Sequence, residues 1–315
     1  MTAKNELKPL ASGRLYMTAK KKIKHSASDR IYYAISGVLL TFVLILVSYP
    51  LIYVLSASFS SGSAVSSGKV LLWPVEFTLQ GYHAVFKNKD IVGAYLNTIF
   101  YTVAGTMLNV TMVMTCAYAL SRRTLKGRNL FMFIFTFTMF FGGGLIPFYI
   151  LLKDLSILNT RWAMIVPGAL SVYNMIIART FIQSSIPNEL LEAAKMDGCS
   201  DFRYFFSIVL PLSKAVIAVI ALFSMVGHWN AYFNALMFLN ERSLYPLQII
   251  LREILIMNQY DPTMVMDPEL QAANAQVAAI LKYALIVVAT APILCVYPFI
   301  QKYFVKGVMI GSLKG

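Results

Sequence analysis

Residues 31–57 read IYYAISGVLLTFVLILVSYPLIYVLSA, and no charge occurs anywhere between Arg30 and Lys69. A helix needs roughly 20 apolar residues to cross a hydrocarbon layer, so this run is long enough to span a membrane. Lipid offers no partners to the backbone, so an isolated spanning segment satisfies its own N–H and C=O groups as a helix. Working outward, five more runs qualify: 94–120, 130–152, 162–178, 215–238 and 283–300. The fourth is the shortest and is closed by Arg161 and Arg179. Pro50, Pro147, Pro167, Pro292 and Pro298 interrupt the runs, which lipid tolerates where neighbouring helices satisfy the freed carbonyls. The expected fold is an all-α integral membrane protein with six transmembrane helices. Residues 31–304 form its membrane domain, between a basic tail (1–30) and a short C-terminal tail (305–315).

Composition agrees. Of 315 residues, 58% are hydrophobic and 13% charged, with a mean hydropathy of +0.66. A soluble domain carries about 25% charged residues, so an ordinary soluble enzyme and a disordered chain are both disfavoured. The net charge of +13 could suggest nucleic acid. The bases sit at the ends of apolar runs, however, which is the pattern of cytoplasmic membrane loops, and no nucleic-acid partner is expected. Three cysteines give no disulfide framework.

Orientation follows from Lys and Arg. The N-terminal tail, the loops after runs two and four, and the C-terminal tail together hold nineteen of the 27 bases. With six spans these segments share one side, so both termini are expected to be cytoplasmic. The basic N-terminus before an apolar run reads as an uncleaved signal anchor, because the run exceeds the apolar segment of a signal peptide.

The loop 186–211 carries the most specific pattern. Pro187 with acids just after it suits a helix start, and 189–196 is rich in helix formers. Gly198 fits a left-handed stop, Ser200 or Asp201 can cap a second helix, and Pro211 breaks the chain before run five. The apolar stripe of Leu190, Leu191, Ala194, Phe202, Phe205 and Phe206 is expected to need a partner surface.

Glu192-Ala193-Ala194, then Gly198, then Ile208-x-Leu210-Pro211 resembles the conserved cytoplasmic loop of ABC importer permeases. The similarity extends to Phe140-Phe141-Gly142-Gly143-Gly144-Leu145-Ile146-Pro147 and Trp229-Asn230-x-Tyr232. It also includes the tail Gln301-Lys302-Tyr303-Phe304-Val305-Lys306-Gly307, ending Lys314-Gly315. These resemble the maltose-type six-span permeases, in their oligosaccharide subgroup, and imply type I importer architecture in a bacterial cell membrane. The resemblance also implies partners: a second permease subunit, two ATPase subunits, an extracellular solute-binding protein and a carbohydrate substrate. Glu192, Ala193, Ala194, Asp197, Gly198, Leu210 and Pro211 are then the ATPase-coupling residues, and Lys314 and Gly315 touch the ATPase. ATP and Mg²⁺ would sit on that partner, since this chain has no phosphate-binding Gly-x-x-x-x-Gly-Lys-[Ser/Thr] loop. The long basic N-terminal tail has no role in the family pattern.

Candidate substrate contacts are Tyr173, Asn174, His228, Trp229, Asn230 and Tyr232. An indole face can stack on a pyranose while amides read hydroxyls. The same residues can equally form an interfacial aromatic belt or interhelical hydrogen bonds, and Asn97 and Asn109 share that ambiguity. The three histidines are too scattered for a metal site, and no catalytic set emerges. The rival function is an ion-coupled transporter or channel. Such proteins place ionisable groups inside spans, and the six runs contain no Asp, Glu, Lys or Arg. Lys69, Lys87 and Lys89 against Glu76 and Asp90 leave the first external loop little net base, which weighs against a strongly anionic ligand.

Overall fold

The computed structural model describes residues 26–257, 276–296 and 298, together with a two-residue antiparallel pair, β1 (Leu7–Lys8) with β2 (Tyr16–Met17). Apart from that pair, the described residues are helix, turn and loop. The chain divides into two compact units between Ile52 and Tyr53. The first contains the pair and most of helix α1 (Ala27–Ser58), whose apolar side chains from Ile31 to Val47 are exposed. An apolar helix surface of that length suits lipid, not water.

The second unit is built around α4 (Lys89–Ser121), a 33-residue helix preceded by α2 (Gly62–Ser66) and α3 (Gln80–Lys87). Asn88 starts α4 by accepting hydrogen bonds from the N–H groups of Asp90 and Ile91. Next come α5 (Arg128–Phe140), α6 (Leu145–Asp154), α7 (Trp162–Ile165) and α8 (Val172–Ser185). Then follow α9 (Asn188–Met196), α10 (Asp201–Tyr204), α11 (Leu210–Leu212) and α12 (Lys214–Trp229). The last are α13 (Phe233–Phe238), α14 (Leu247–Met257) and α15 (Gln276–Val296).

Among the described residues, α1, α4 and α15 are each long and apolar enough to cross a membrane. Three further helix pairs pass the same test only together, and each is bent: α5 with α6 by 114°, the 162–168 segment with α8 by 44°, and the 201–212 segment with α12 by 80°. The runs 130–152 and 162–178 are therefore not straight rods, whereas the 80° bend lies at Ser213, ahead of run 215–238, which is broken instead after Trp229. Phe141 and the Gly142–Gly144 turn, where Gly144 has φ +84°, divide the first of them. Asn230 ends α12, and Ala231–Tyr232 separates it from α13.

α4 packs against α12 and α8. One core lies at the end of α4 that leads into Arg122, where Val113, Met114, Ala117 and Leu120 meet Met175, Ala178 and Ile182 of α8 and Val216 and Ile220 of α12. The other end of α4 holds the 243–247 segment. Asn97 Nδ2 donates to the carbonyls of Ser243 (2.7 Å) and Tyr245 (3.2 Å), Tyr101 OH donates to Leu244 O (2.8 Å), and Leu247 N donates to Thr98 Oγ1 (2.8 Å). Asn97 is thus a structural amide.

Candidate functional site: a polar hollow and a docking element

Two places gather the residues singled out from the sequence. The first is a hollow of about 430 Å³ beside α4, α8 and α12, whose lining includes Asn109, Tyr173, Asn174, Ser224, His228 and Asn234. Asn174 is buried and Tyr173 exposed. Ser171 starts α8 by accepting the Asn174 N–H, which brings both side chains onto the first turn of that helix. Asn109 donates to Gly168 O at 2.8 Å, while its Oδ1, like Ser224 Oγ, is buried with no hydrogen-bond partner among the described residues. A buried acceptor without a donor costs about 1–3 kcal/mol, so these atoms are set for a polar visitor or for water.

His228 reaches the hollow over two glycines. A Cβ on Gly168 would come within 3.0 Å of its ring, and one on Gly105 would run into the ring. The other three candidates do not line this hollow. Trp229 is buried, gives its indole N–H to Ala289 O at 2.9 Å and meets Tyr95 edge to face. Its surfaces are taken up by packing on α15 and α4, so they are not open to a pyranose. Asn230 donates to Val226 O and accepts from Gln248, and Tyr232 lies under the Arg252 guanidinium at 5.3 Å. Ser224 and Asn234 are not distinguishable from the sequence, since a serine or an amide near a helix end carries no mark of facing a cavity. Among the described residues no three His, Cys, Asp or Glu side chains converge where a metal could sit.

The second place is the α9–α10 element. Asn188 is its first helical residue, with Pro187 just outside. It ends in a Schellman stop: Cys199 N–H bonds Ala194 O (2.8 Å), Gly198 N–H bonds Lys195 O (3.0 Å), and Gly198 has φ +72°. Ser200 then caps α10 by accepting the Arg203 N–H. A π turn over 205–209 and the short α11 carrying Leu210 and Pro211 lead into the bend before α12. Arg122 at the end of α4 locks the element, bonding Asp201 at 3.1 Å and lying over the rings of Tyr118 (4.8 Å) and Tyr204 (5.1 Å).

The apolar stripe of this element divides in two. Ala194, Phe205 and most of Leu191 pack into the α4–α8–α12 core, because Tyr118 and the end of α8 reach down to them. Leu190, Met196, Phe202 and Phe206 remain exposed. Glu192, Ala193 and Asp197 are exposed too, and among the described residues nothing beyond its chain neighbours lies within 4 Å of where a Gly198 Cβ would stand. Lys314 and Gly315 lie outside the described residues.

A family model for the binding-protein-dependent transport system inner membrane component matches residues 17–310. The chain belongs to that family. It is 44% identical over 284 residues to the polygalacturonan/rhamnogalacturonan transport system permease protein YtcP of Bacillus subtilis, covering 89% of this chain and 97% of the relative. Protein LplC of the same organism is 43% identical over 266 residues, covering 84% and 89%. Among solved structures, a bacterial ABC transporter involved in the import of the acidic polysaccharide alginate matches with a TM-score of 0.82 and 35% identity, over 90% of this chain and 100% of that one. This inner membrane component therefore shares both fold and sequence with importer permeases.

Proposed function

We propose that this chain is one permease half of an ATP-driven importer in a bacterial cell membrane, taking up uronate-containing oligosaccharides released by an extracellular binding protein. It crosses the membrane six times, through α1, α4, the broken runs 130–152, 162–178 and 215–238, and α15, with 201–212 left on the cytoplasmic face and both termini cytoplasmic. The observation that carries the reading is the α9–α10 element, whose helix stop is fixed by Gly198 and whose exposed apolar residues flank Glu192. Such an apolar projection on a polar loop fits a groove on a separate ATPase, and the absence of a phosphate-binding loop from this sequence agrees with that reading. ATP-driven closure of the ATPases would draw two such elements together. The helices would rock about α4, opening the hollow to the binding-protein side.

The relatives' substrates weigh toward an acidic sugar, against the reading from the external loop. The hollow fits such a sugar without fixed positive charge: Tyr173, Asn174, Asn234 and Ser224 can donate to a carboxylate or a hydroxyl alike. Neutral donors hold an anion weakly enough to let it leave.

The test is reconstitution of the complex with its ATPase and binding protein. Trigalacturonate-loaded binding protein should stimulate hydrolysis on the order of tenfold. Glu192→Lys should abolish ATPase attachment or coupling, and Asn174→Ala should reduce uptake with assembly intact. Normal uptake by the Glu192→Lys complex would refute the coupling role.

A further inference from the structure

Where α4 ends, the chain turns through Arg122 and Arg123, and Gly127 (φ +77°) leads into α5 at Arg128. From the other side α8 brings Arg179. The four arginines, with Leu191 and Glu192 of α9, line a hollow of about 450 Å³. Four arginines and one glutamate thus contribute to its lining. Arg122 is already engaged by Asp201 and two tyrosine rings. Arg179 is half-buried and gives its Nε–H to Leu120 O at 3.0 Å, which fixes the direction of its fork. Among the described residues no carboxylate pairs with Arg123, Arg128 or Arg179. Like charges gathered around one concavity repel unless an anion neutralises them.

We propose that this hollow binds a phosphate-bearing anion, and that the phosphate is the headgroup of an anionic phospholipid. Guanidinium forks match phosphate oxygens in pairs, which an ammonium cannot do. Depth decides for lipid over soluble phosphate. The apolar run of α4 stops at Leu120, and α5 exposes Leu130, Phe131 and Phe133 directly after Arg128. The arginines therefore stand at the border between an apolar band and a polar loop, where headgroups lie, and basic pockets at that level select anionic lipids. Because Leu191 and Glu192 form one wall, an occupied site braces the base of the docking helix. The proposal rests on the cytoplasmic placement of this face given under Proposed function.

The test uses the full chain in detergent, mixed with short-chain phosphatidylglycerol or phosphatidylcholine, with retained lipid read by native mass spectrometry. Phosphatidylglycerol should be retained on the order of tenfold better. The double variant Arg123→Gln/Arg128→Gln should lose that preference, and Arg123→Lys/Arg128→Lys, which keeps the charge without the fork, should keep only part of it; an unchanged thermal midpoint in both variants separates lost binding from misfolding. Excess inorganic phosphate should not displace the lipid; displacement would support the anion site and overturn its lipid source. Equal retention of the two lipids, or an unchanged preference in the glutamine variant, overturns the proposal. Lost ATPase co-isolation with unchanged lipid preference would assign the arginines to an acidic protein face and overturn it as well. Outside labelling of a cysteine at position 126 would instead overturn the orientation, so the two failures can be told apart.

Discussion

His228 accounts for two glycines that otherwise have no evident reason to be small. Its ring is seated against Gly105 of α4 and Gly168 ahead of α8, whereas Gly93, on the same helix as Gly105, faces open space. Gly105→Val should therefore overpack the ring's seat and cost about 1–3 kcal/mol, read as a lower thermal midpoint of the purified protein. Gly93→Ala should be neutral or stabilising by up to about 1 kcal/mol, from helix propensity alone. A wild-type midpoint for Gly105→Val would show that the ring swings away freely. His228 was visible in the sequence as a polar break in an apolar run, but its seat was not. The glycines that form it lie 60 and 123 positions away, and a cross-helix contact leaves no local periodicity. Trp229 illustrates the same limit: its residue type suits sugar stacking, and only the approach of Ala289 and Tyr95 commits it to packing.

The α9–α10 element was legible because short-range rules decide it. A proline before the first turn, strong helix formers, a glycine at the stop and a serine cap each act within four residues. What those rules could not say is which side of the stripe the chain itself would cover, since that depends on where α4 and α8 end. The element's geometry makes Gly198 its most sensitive position. A β-branched side chain at φ +72° is strained by its own backbone, even though the surrounding space is open. Gly198→Val should unwind the last turn of α9 and weaken ATPase co-isolation, while Gly198→Asn, which tolerates the left-handed region, should retain most of it. Membrane levels of both variants should match wild type, because the position lies outside the apolar helices. Equal ATPase recovery with the valine and asparagine variants would mean that the stop does not set the docking surface.

At the scale of the whole molecule, the decisive question is which ends of α4 and α8 face the cell interior. The two ends of α4 differ sharply in charge. One leads into Arg122, Arg123, Lys126 and Arg128 with no acid among them, and the other starts at Lys89 and Asp90, where Asp90 pairs with Arg242 at 2.9 Å. Arg242 also meets Glu253 at 3.2 Å, and these carboxylates hold its guanidinium above the usual arginine range. Four bases thus follow α4, against Lys87, Lys89 and Arg242 around its other end. Retention of Lys and Arg on the cytoplasmic side then predicts position 126 inside and position 69, beyond α1, outside. Single cysteines at these positions, in a background with Cys116, Cys199 and Cys295 replaced, should respond oppositely to a membrane-impermeant maleimide. Position 69 should label in intact cells and position 126 only after permeabilisation. If 126 labels first, the arginine hollow and the α9–α10 element would face the binding protein instead of the ATPase, and the coupling mechanism could not operate.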